Sequence, residues 1–420
     1  MASRTSSRNP SRSVSSTSLS TRRNTLTTEL SPAEKDKAAQ ISAACDARDL
    51  DALVHLATTT HGLVSDPLRR AAWPILLGCA PDEKEQVSWT DLPAHRDEGQ
   101  VALDVNRAFV YYPRNESEKQ LDRLKEELSD IIVETIRRHP ALCYFQGYHD
   151  IVQVFLLVLG PQDAPNAVAR LSLLRIRDFM LSTLDAAIAH LALLHPILST
   201  ADPALYDHLP KSQPSFALAD TLTMFAHNMQ EYKDIARLFD FFLARHTVMP
   251  IYFFAAAVLS RREEMLEIDK EDEDIMHATL GKLPQPFDVE FHIARSVELY
   301  ERLPPESLRS LLWWKISSSS VLKTSSTPLA LNRLSLEDGE KWMQQQESEV
   351  RRQQAWKKAA SNVKYLRRRL WVYRRHAAFG LAVAVGAYAL WLGQGRDVGK
   401  FSTFRPLGEL LRRVASVVRI

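Results

Sequence analysis

Apolar residues recur every three to four positions in one segment of this sequence after another, and this helical spacing limits the fold more than any other feature. Residues 116–139 predict a long amphipathic helix, which must end before Pro140. Ser-Pro at 31–32 and Ser-Asp-Pro at 65–67 are typical of helix starts, because serine caps a helix and proline fits its first turn. The sequence contains no alternating run of strand length and no internal repeat. It therefore predicts an all-α protein.

Changes in composition divide the chain into regions with different properties. The N-terminal tail has no apolar run, so it is not a secretory signal, whereas a mitochondrial transit peptide remains an alternative to disorder. We predict a disordered Ser- and Arg-rich tail at 1–30, a helical domain at 31–305, a linker at 306–337, a basic helix at 338–375, a transmembrane helix at 376–395 and a short tail at 396–420.

The segment 376–395 contains no Asp, Glu, Lys or Arg. As a helix its twenty residues would be about 30 Å long, just enough to cross the apolar part of a bilayer. The preceding residues 351–375 carry ten Lys or Arg and no acid, as expected for a cytoplasmic flank. The alternative is a buried helix of a soluble protein. We predict the membrane-spanning helix.

Several functional classes lack their sequence signatures here. Cys45, Cys79 and Cys143 are far apart and indicate neither a disulfide framework nor a zinc site, so a reducing compartment is expected. The sequence has no phosphate-binding glycine loop, no HExxH and no GxSxG. His149 beside Asp150 fits a general base, although a structural histidine is the favoured interpretation. A self-contained enzyme is therefore not expected.

Two small groups of polar residues are candidates for chemistry. Asp104 and Arg107 are three residues apart, and Gln146 precedes the apolar helical pattern at 147–159. Taken alone, the first two fit an ion pair on a helix surface. Gln146 likewise fits a residue that bonds free N–H groups at the start of a helix. Spacing by itself favours these structural interpretations.

The segment 62–304 resembles a TBC domain, the helical GTPase-activating module that acts on Rab GTPases. The resemblance rests on three motifs in the family's order: “RRAAWPILLG” at 69–78, “LDVNR” at 103–107 and “YFQG” at 144–147. Further segments are similar to the subgroup that a C-terminal hydrophobic tail anchors in the endoplasmic reticulum. Three ordered motifs make this a more specific signal than any one of them alone.

The resemblance implies a two-lobed helical fold and a role for each candidate residue. Arg107 is expected to be an arginine finger and Gln146 a glutamine finger, both inserted into the active site of a Rab GTPase. Asp104 is expected to orient Arg107, while Tyr144 and Gly147 shape the turn that carries Gln146. No cofactor of its own is implied, because GTP and Mg²⁺ belong to the partner GTPase. No nucleic-acid partner is implied either.

The resemblance also implies a location and a cellular process. We expect a single-pass protein of the endoplasmic reticulum membrane, with its TBC domain in the cytosol and a role in vesicle transport towards the Golgi. The main alternative is a catalytically silent TBC-fold scaffold that binds GTPases or membrane proteins. A membrane enzyme with an unrecognised site is disfavoured, because the catalytic motifs are missing from the sequence.

Overall fold

The structure, a computed structural model, describes residues 30–80 and 87–393 of the chain. These residues form twenty α-helices and four single turns of 3-10 helix, and none of them lies in a β-strand. The all-helical fold predicted from the sequence is confirmed. Except for Leu30, the predicted tails at 1–30 and 396–420 lie outside the described residues.

The α-helices differ in length, and most have fewer than fifteen residues. They are α1 Pro32–Asp46, α2 Leu50–Thr58, α3 Asp66–Leu76, α4 Glu98–Val105, α5 Glu118–Arg138, α6 Tyr148–Leu159, α7 Ala164–Leu174, α8 Asp185–Leu191, α9 Leu194–Ala201, α10 Pro203–His208, α11 Leu218–Leu222, α12 Tyr232–Ala244, α13 Met249–Ser260, α14 Arg262–Glu267, α15 Glu273–Leu280, α16 Val289–Arg302, α17 Leu312–Lys315, α18 Val321–Thr324, α19 Pro328–Leu331 and α20 Leu336–Gly393.

Local sequence signals explain where several of these helices begin. α1 starts with a capping box, in which Ser31 accepts from the backbone N–H of Glu34 and Glu34 accepts from that of Ser31. α5 starts in the same way with Ser117 and Gln120, and it ends at Arg138, before the predicted proline boundary. Such a cap contributes about 1 kcal/mol, because it satisfies N–H groups that the helix leaves free.

The core of the domain is built around α6, of which eleven of twelve residues are buried. Trp73 of α3 packs against Phe155 of α6 and Phe239 of α12, with ring centroids 5.3 and 6.0 Å apart. The nearly continuous apolar sequence of α6 therefore reflects neighbours on all sides rather than one apolar face. This burial fixes the first turn of α6, where Gln146 and its neighbours are attached.

A buried ion pair joins α3 to α12. The Nε and Nη2 atoms of Arg69 each lie 3.0 Å from the carboxylate of Asp240, which is completely buried. Asp240 also accepts from the indole of Trp73 at 2.8 Å and from the backbone N–H of Leu63 at 3.0 Å. The sequence leaves Arg69 open between a structural and a partner-contacting role. Its burial and its bonds show that the role is structural.

Residues 306–337, which the sequence predicts to be a linker, pack against the domain instead. Val321 and Leu331 are fully buried, and the segment contains α17, α18 and α19. The backbone N–H of Val321 donates to Asp178 at 3.1 Å, and Arg170 donates to the carbonyl of Leu331 at 3.0 Å. Arg170 and Asp178 are buried and need polar partners, which this segment supplies. The high serine content, which suggested a linker, does not reveal these contacts.

The described chain divides into two compact units between Ser348 and Glu349. α20 begins in the first unit and contains both the predicted basic helix at 338–375 and residues 376–393 of the predicted transmembrane segment. Among the described residues, no helix combines the length and the apolar character needed to cross a bilayer. The membrane-spanning helix at 376–395 thus stays a prediction, and its last two residues lie outside the described range.

Candidate functional site

A cleft of about 680 Å³ lies in the first unit and brings the predicted finger residues together. One side is formed by the turn after α4 and the start of α6, and the other by residues 215–228, which we call the cleft wall. Arg107 and Gln146 both line this space, although they belong to separate segments of the chain. Other lining residues are Tyr111, Phe145, Gly147, His149, Asp150, Thr223 and His227.

Arg107 lies in the turn that follows the last residue of α4. Its Nη2 atom donates to Oδ1 of Asp104, so the ion pair suggested by the sequence is present. Asp104 is completely buried, whereas the side chain of Arg107 is 62% exposed. Gln100 also donates to Asp104, at 3.1 Å. The buried carboxylate therefore holds one corner of a guanidinium that lines the cleft.

Tyr144 connects this ion pair to the segment that carries Gln146. Its hydroxyl donates to Oδ2 of Asp104 at 2.9 Å, and its backbone N–H donates to Asp97 at 2.9 Å. Burial, reinforced by the charge of Asp104, raises the pKa of Tyr144 well above its usual range. The phenol consequently stays protonated and remains a donor to Asp104.

Gln146 lies two residues before α6, and its side chain is exposed in the cleft. The backbone N–H groups of Tyr148 and Asp150 donate to the carbonyls of Phe145 and Gly147, so they are not bonded by Gln146 as the structural alternative required. Gly147 follows with φ of +99°, in the left-handed region, and is buried. A Cβ atom at Gly147 would lie 2.6 Å from Cγ2 of Thr223. Only glycine fits this turn, which directs the carboxamide of Gln146 outwards.

His149 and Asp150 lie under the cleft, in the first turn of α6. Nδ1 of His149 is 3.3 Å from the hydroxyl of Tyr144, and Nε2 is 3.2 Å from Asp150. Burial lowers the pKa of His149, so its neutral form is favoured. Both ring nitrogens face protein groups, which supports the structural interpretation over a general base. Asp150 also accepts from Nδ1 of His227 at 2.8 Å.

Several residues that shape the site were missed by sequence reasoning. Gln153 is buried in α6, accepts from the N–H of Phe109 at 2.8 Å and donates to the carbonyl of Tyr112 at 3.3 Å. It thereby fixes the segment next to Arg107. A single glutamine within an apolar helix is a usable signal, because a buried amide requires partners. His227 gives no comparable signal in the sequence.

Comparison with known proteins places this cleft in a family. Residues 66–267 match the family described as the Rab-GTPase-TBC domain. TBC1 domain family member 20 of Homo sapiens is 39% identical over 279 residues, which are 65% of this chain and 69% of that protein. The chain belongs to the Rab-GTPase-TBC domain family. The resemblance to a TBC domain is thus confirmed, and the matched range contains every residue of the cleft described above.

Other relatives of this TBC protein agree with that assignment. GTPase-activating protein gyp10 of Schizosaccharomyces pombe is 32% identical over 286 residues, which are 67% of this chain and 76% of that protein. The crystal structure of the Ypt/Rab-GAP domain of Gyp1p superposes with a TM-score of 0.51 at 13% identity, covering 63% of this chain and 99% of that one. At such low identity the last comparison concerns the fold alone. The similarity to the subgroup anchored in the endoplasmic reticulum stays a prediction.

Proposed function

We propose that this TBC protein is a GTPase-activating protein for a Rab-family GTPase, to which it supplies an arginine and a glutamine in trans. The observation that carries the proposal is that Arg107 and Gln146 come from separate segments and open on one cleft. Gyp10, a relative at 32% identity, is named a GTPase-activating protein. The chain itself would not bind GTP, since the nucleotide and Mg²⁺ belong to the partner.

Arg107 has the chemistry needed to stabilise charge on phosphate oxygens. Hydrolysis of GTP develops negative charge on these oxygens, and a guanidinium is planar, permanently charged and able to donate several hydrogen bonds at once. Asp104 takes up one of the Nη2 donors and is itself buried, so it fixes the direction of the side chain. The other N–H donors of the Arg107 guanidinium remain available to the partner GTPase. Asp104 and Tyr144 are thus positioning residues for Arg107 in this proposal.

Gln146 has the chemistry needed to orient the attacking water. A carboxamide accepts a hydrogen bond from water through its oxygen and donates one to a phosphate oxygen through its nitrogen. The left-handed turn at Gly147 holds this group at the surface while α6 anchors the backbone in the core. Gln146 would therefore replace the water-orienting residue that a GTPase normally provides for itself.

The proposal includes attachment to the endoplasmic reticulum membrane through residues 376–395, with the TBC domain in the cytosol and a role in transport towards the Golgi. The absence of formal charge in this segment supports attachment, as do the ten basic residues at 351–375. Phe379, Leu381 and Val383 are exposed on α20. An apolar environment would remove these side chains from water.

The first experiment measures GTP hydrolysis by a panel of purified Rab GTPases with and without the full chain. Wild type should stimulate at least one of them. Arg107→Lys and Arg107→Ala should each lose about a hundredfold or more, because an arginine finger in trans contributes roughly 10³–10⁵ in rate. Gln146→Ala should lose a comparable amount. Substituting the GTPase's own water-orienting glutamine should be tolerated while Gln146 is present.

Matched variants control for changes in folding and surface charge. Arg114 is 64% exposed and pairs with Glu231 at 2.6 Å, so Arg114→Ala removes a similar arginine outside the cleft. Gln162→Ala removes an exposed glutamine beyond the end of α6. Both should keep wild-type stimulation. If Gln146→Ala also keeps it, the two-finger mechanism is wrong. Binding of a GTPase without any stimulation would favour the scaffold alternative.

A further inference from the structure

We propose that His227 is a positioning residue for the two fingers, and that it acts by holding the cleft wall against the start of α6. This inference rests on the proposed function, because it concerns how the same cleft is kept in shape. The other residues involved are Asp150, Gly147 and Thr223, of which Thr223 was not singled out from the sequence.

The cleft wall meets the start of α6 at two points one helical turn apart. Thr223 packs so closely on Gly147 that a Cβ atom there would lie 2.6 Å from its methyl group. His227 reaches Asp150, 77 residues earlier in the chain, at 2.8 Å. The hydroxyl of Thr223 accepts from the backbone N–H of His227 at 3.3 Å, which links the two points. Gln146 is attached directly before this contact.

The wall also contacts the segment that follows Arg107. The hydroxyl of Tyr112 donates to the carbonyl of Ala226 at 3.3 Å. His227 thus lies on a segment that contacts both finger-bearing parts of the chain. Of the three bonds described here, the one between His227 and Asp150 depends on the protonation of His227, because each of the other two joins a backbone group to a neutral hydroxyl. Loss of the bond between His227 and Asp150 would let the cleft wall separate from the residues that hold Gln146 in position.

The direction of the pKa shift distinguishes His227 from His149, the other histidine that contacts Asp150. The hydrogen bond with Asp150 raises the pKa of His227, whereas burial lowers that of His149. Asp220 on the wall also favours the imidazolium of His227, while Arg107 across the cleft opposes it. His227, whose side chain is 55% exposed, is therefore the partner that titrates. Its stabilising contact is complete at low pH and weakens as the pH rises through its raised pKa.

The test is the pH profile of kcat and KM for a Rab GTPase that wild type stimulates, over about pH 6 to 9, where a histidine with a raised pKa titrates. Wild-type kcat should fall about threefold with rising pH, because a charged donor is roughly twice as strong as a neutral one. His227→Asn keeps a donor near the position of Nδ1 but does not titrate. Its profile should be flat, at the level that wild type reaches at high pH.

His227→Ala removes the donor and should lower kcat about tenfold at low pH with little change in KM, since the fingers act in the transition state. His61→Asn is the matched control, because the side chain of His61 is also 55% exposed but does not line the cleft. It should retain the wild-type profile.

Burial raises the pKa of Asp220 to about 6, so Asp220→Asn tests whether this carboxyl causes the profile instead. We expect the pH dependence to survive Asp220→Asn.

A second measurement needs no GTPase. Imidazole resonances of the full chain in detergent give the pKa of His227, with His227→Asn used for assignment. Asp150→Asn should lower that pKa, and an unchanged pKa would overturn the pairing on which the proposal stands. Stimulation that survives His227→Ala unchanged would overturn the positioning role alone. If wild type stimulates no GTPase, the proposed function fails, and the role of His227 fails with it.

Discussion

Gly147 is the single residue whose backbone most directly sets the position of Gln146. Its φ of +99° is strained for any residue with a side chain, and the methyl group of Thr223 lies 2.6 Å from where a Cβ atom would be, too close for a normal contact. We predict that Gly147→Ala lowers the free energy of unfolding by about 1–3 kcal/mol. It should also lower stimulated hydrolysis by more than the unfolded fraction of the protein accounts for. Urea unfolding of the full chain and GTP hydrolysis measure the two effects.

Two further variants separate the causes of the Gly147→Ala effect. Thr223→Ser removes the obstructing methyl group, so the double variant should recover the steric part of the loss but not the part due to φ. Gly99 lies in α4 with nothing near its missing Cβ atom, and its φ is not in the left-handed region. Gly99→Ala should be neutral or stabilise by about 1 kcal/mol or less. If Gly147→Ala and Gly99→Ala had equal effects on stability and hydrolysis, the turn at Gly147 would not have the proposed role in positioning Gln146.

At the scale of elements, a buried carboxylate attaches residues 306–346 to the rest of the first unit. Asp178 accepts from His190 at 2.9 Å, from the N–H of Val321 at 3.1 Å, from Gln346 at 2.9 Å and from the hydroxyl of Ser320. Burial opposes its charge, but the bond and charge of His190 lower its pKa to about 2. Its contribution to stability is therefore complete above the ordinary pKa of a carboxyl and is lost as the pH falls through about 2.

We predict that Asp178→Ala lowers the free energy of unfolding by about 3–5 kcal/mol, since it leaves buried donors without a partner. It should also expose residues 306–337 to proteases. The control is Glu347→Ala, which removes a bond of 2.7 Å from the N–H of Ser182 at the surface and should cost about 1 kcal/mol or less. A loss as small as that of the control would show that this segment is held by its apolar contacts alone.

At the scale of the whole molecule, the cleft and the proposed membrane attachment belong to different units. Every residue of the cleft precedes Ser348, whereas 376–395 follows it. We predict that deleting 376–420 releases the protein from membranes and leaves stimulation of a soluble GTPase within about twofold of wild type. Deleting only 396–420 should leave it on the membrane. Resistance of the longer deletion to carbonate extraction would contradict attachment through this segment.

Much of the fold could be predicted from the sequence by itself. The start of α1 at Pro32, the extent of α5 and the buried character of α6 follow from capping residues, proline and apolar spacing. These signals act within one or two helical turns, so a linear pattern contains them. Arg107 and Gln146 were predicted as site residues from the short motifs that carry the family resemblance, whereas their spacing alone favoured structural roles.

The tertiary structure decided which of these residues meet. Asp150 and His227 are 77 residues apart, and no periodicity in either segment of the sequence indicates that they form a bond. The packing of residues 306–337 was missed for the same reason, since Val321 and Gln346, which both donate to Asp178, lie more than 140 residues further along the chain. Local propensity depends on neighbours in sequence, whereas a buried polar group takes whichever partner the folded core brings within hydrogen-bond distance.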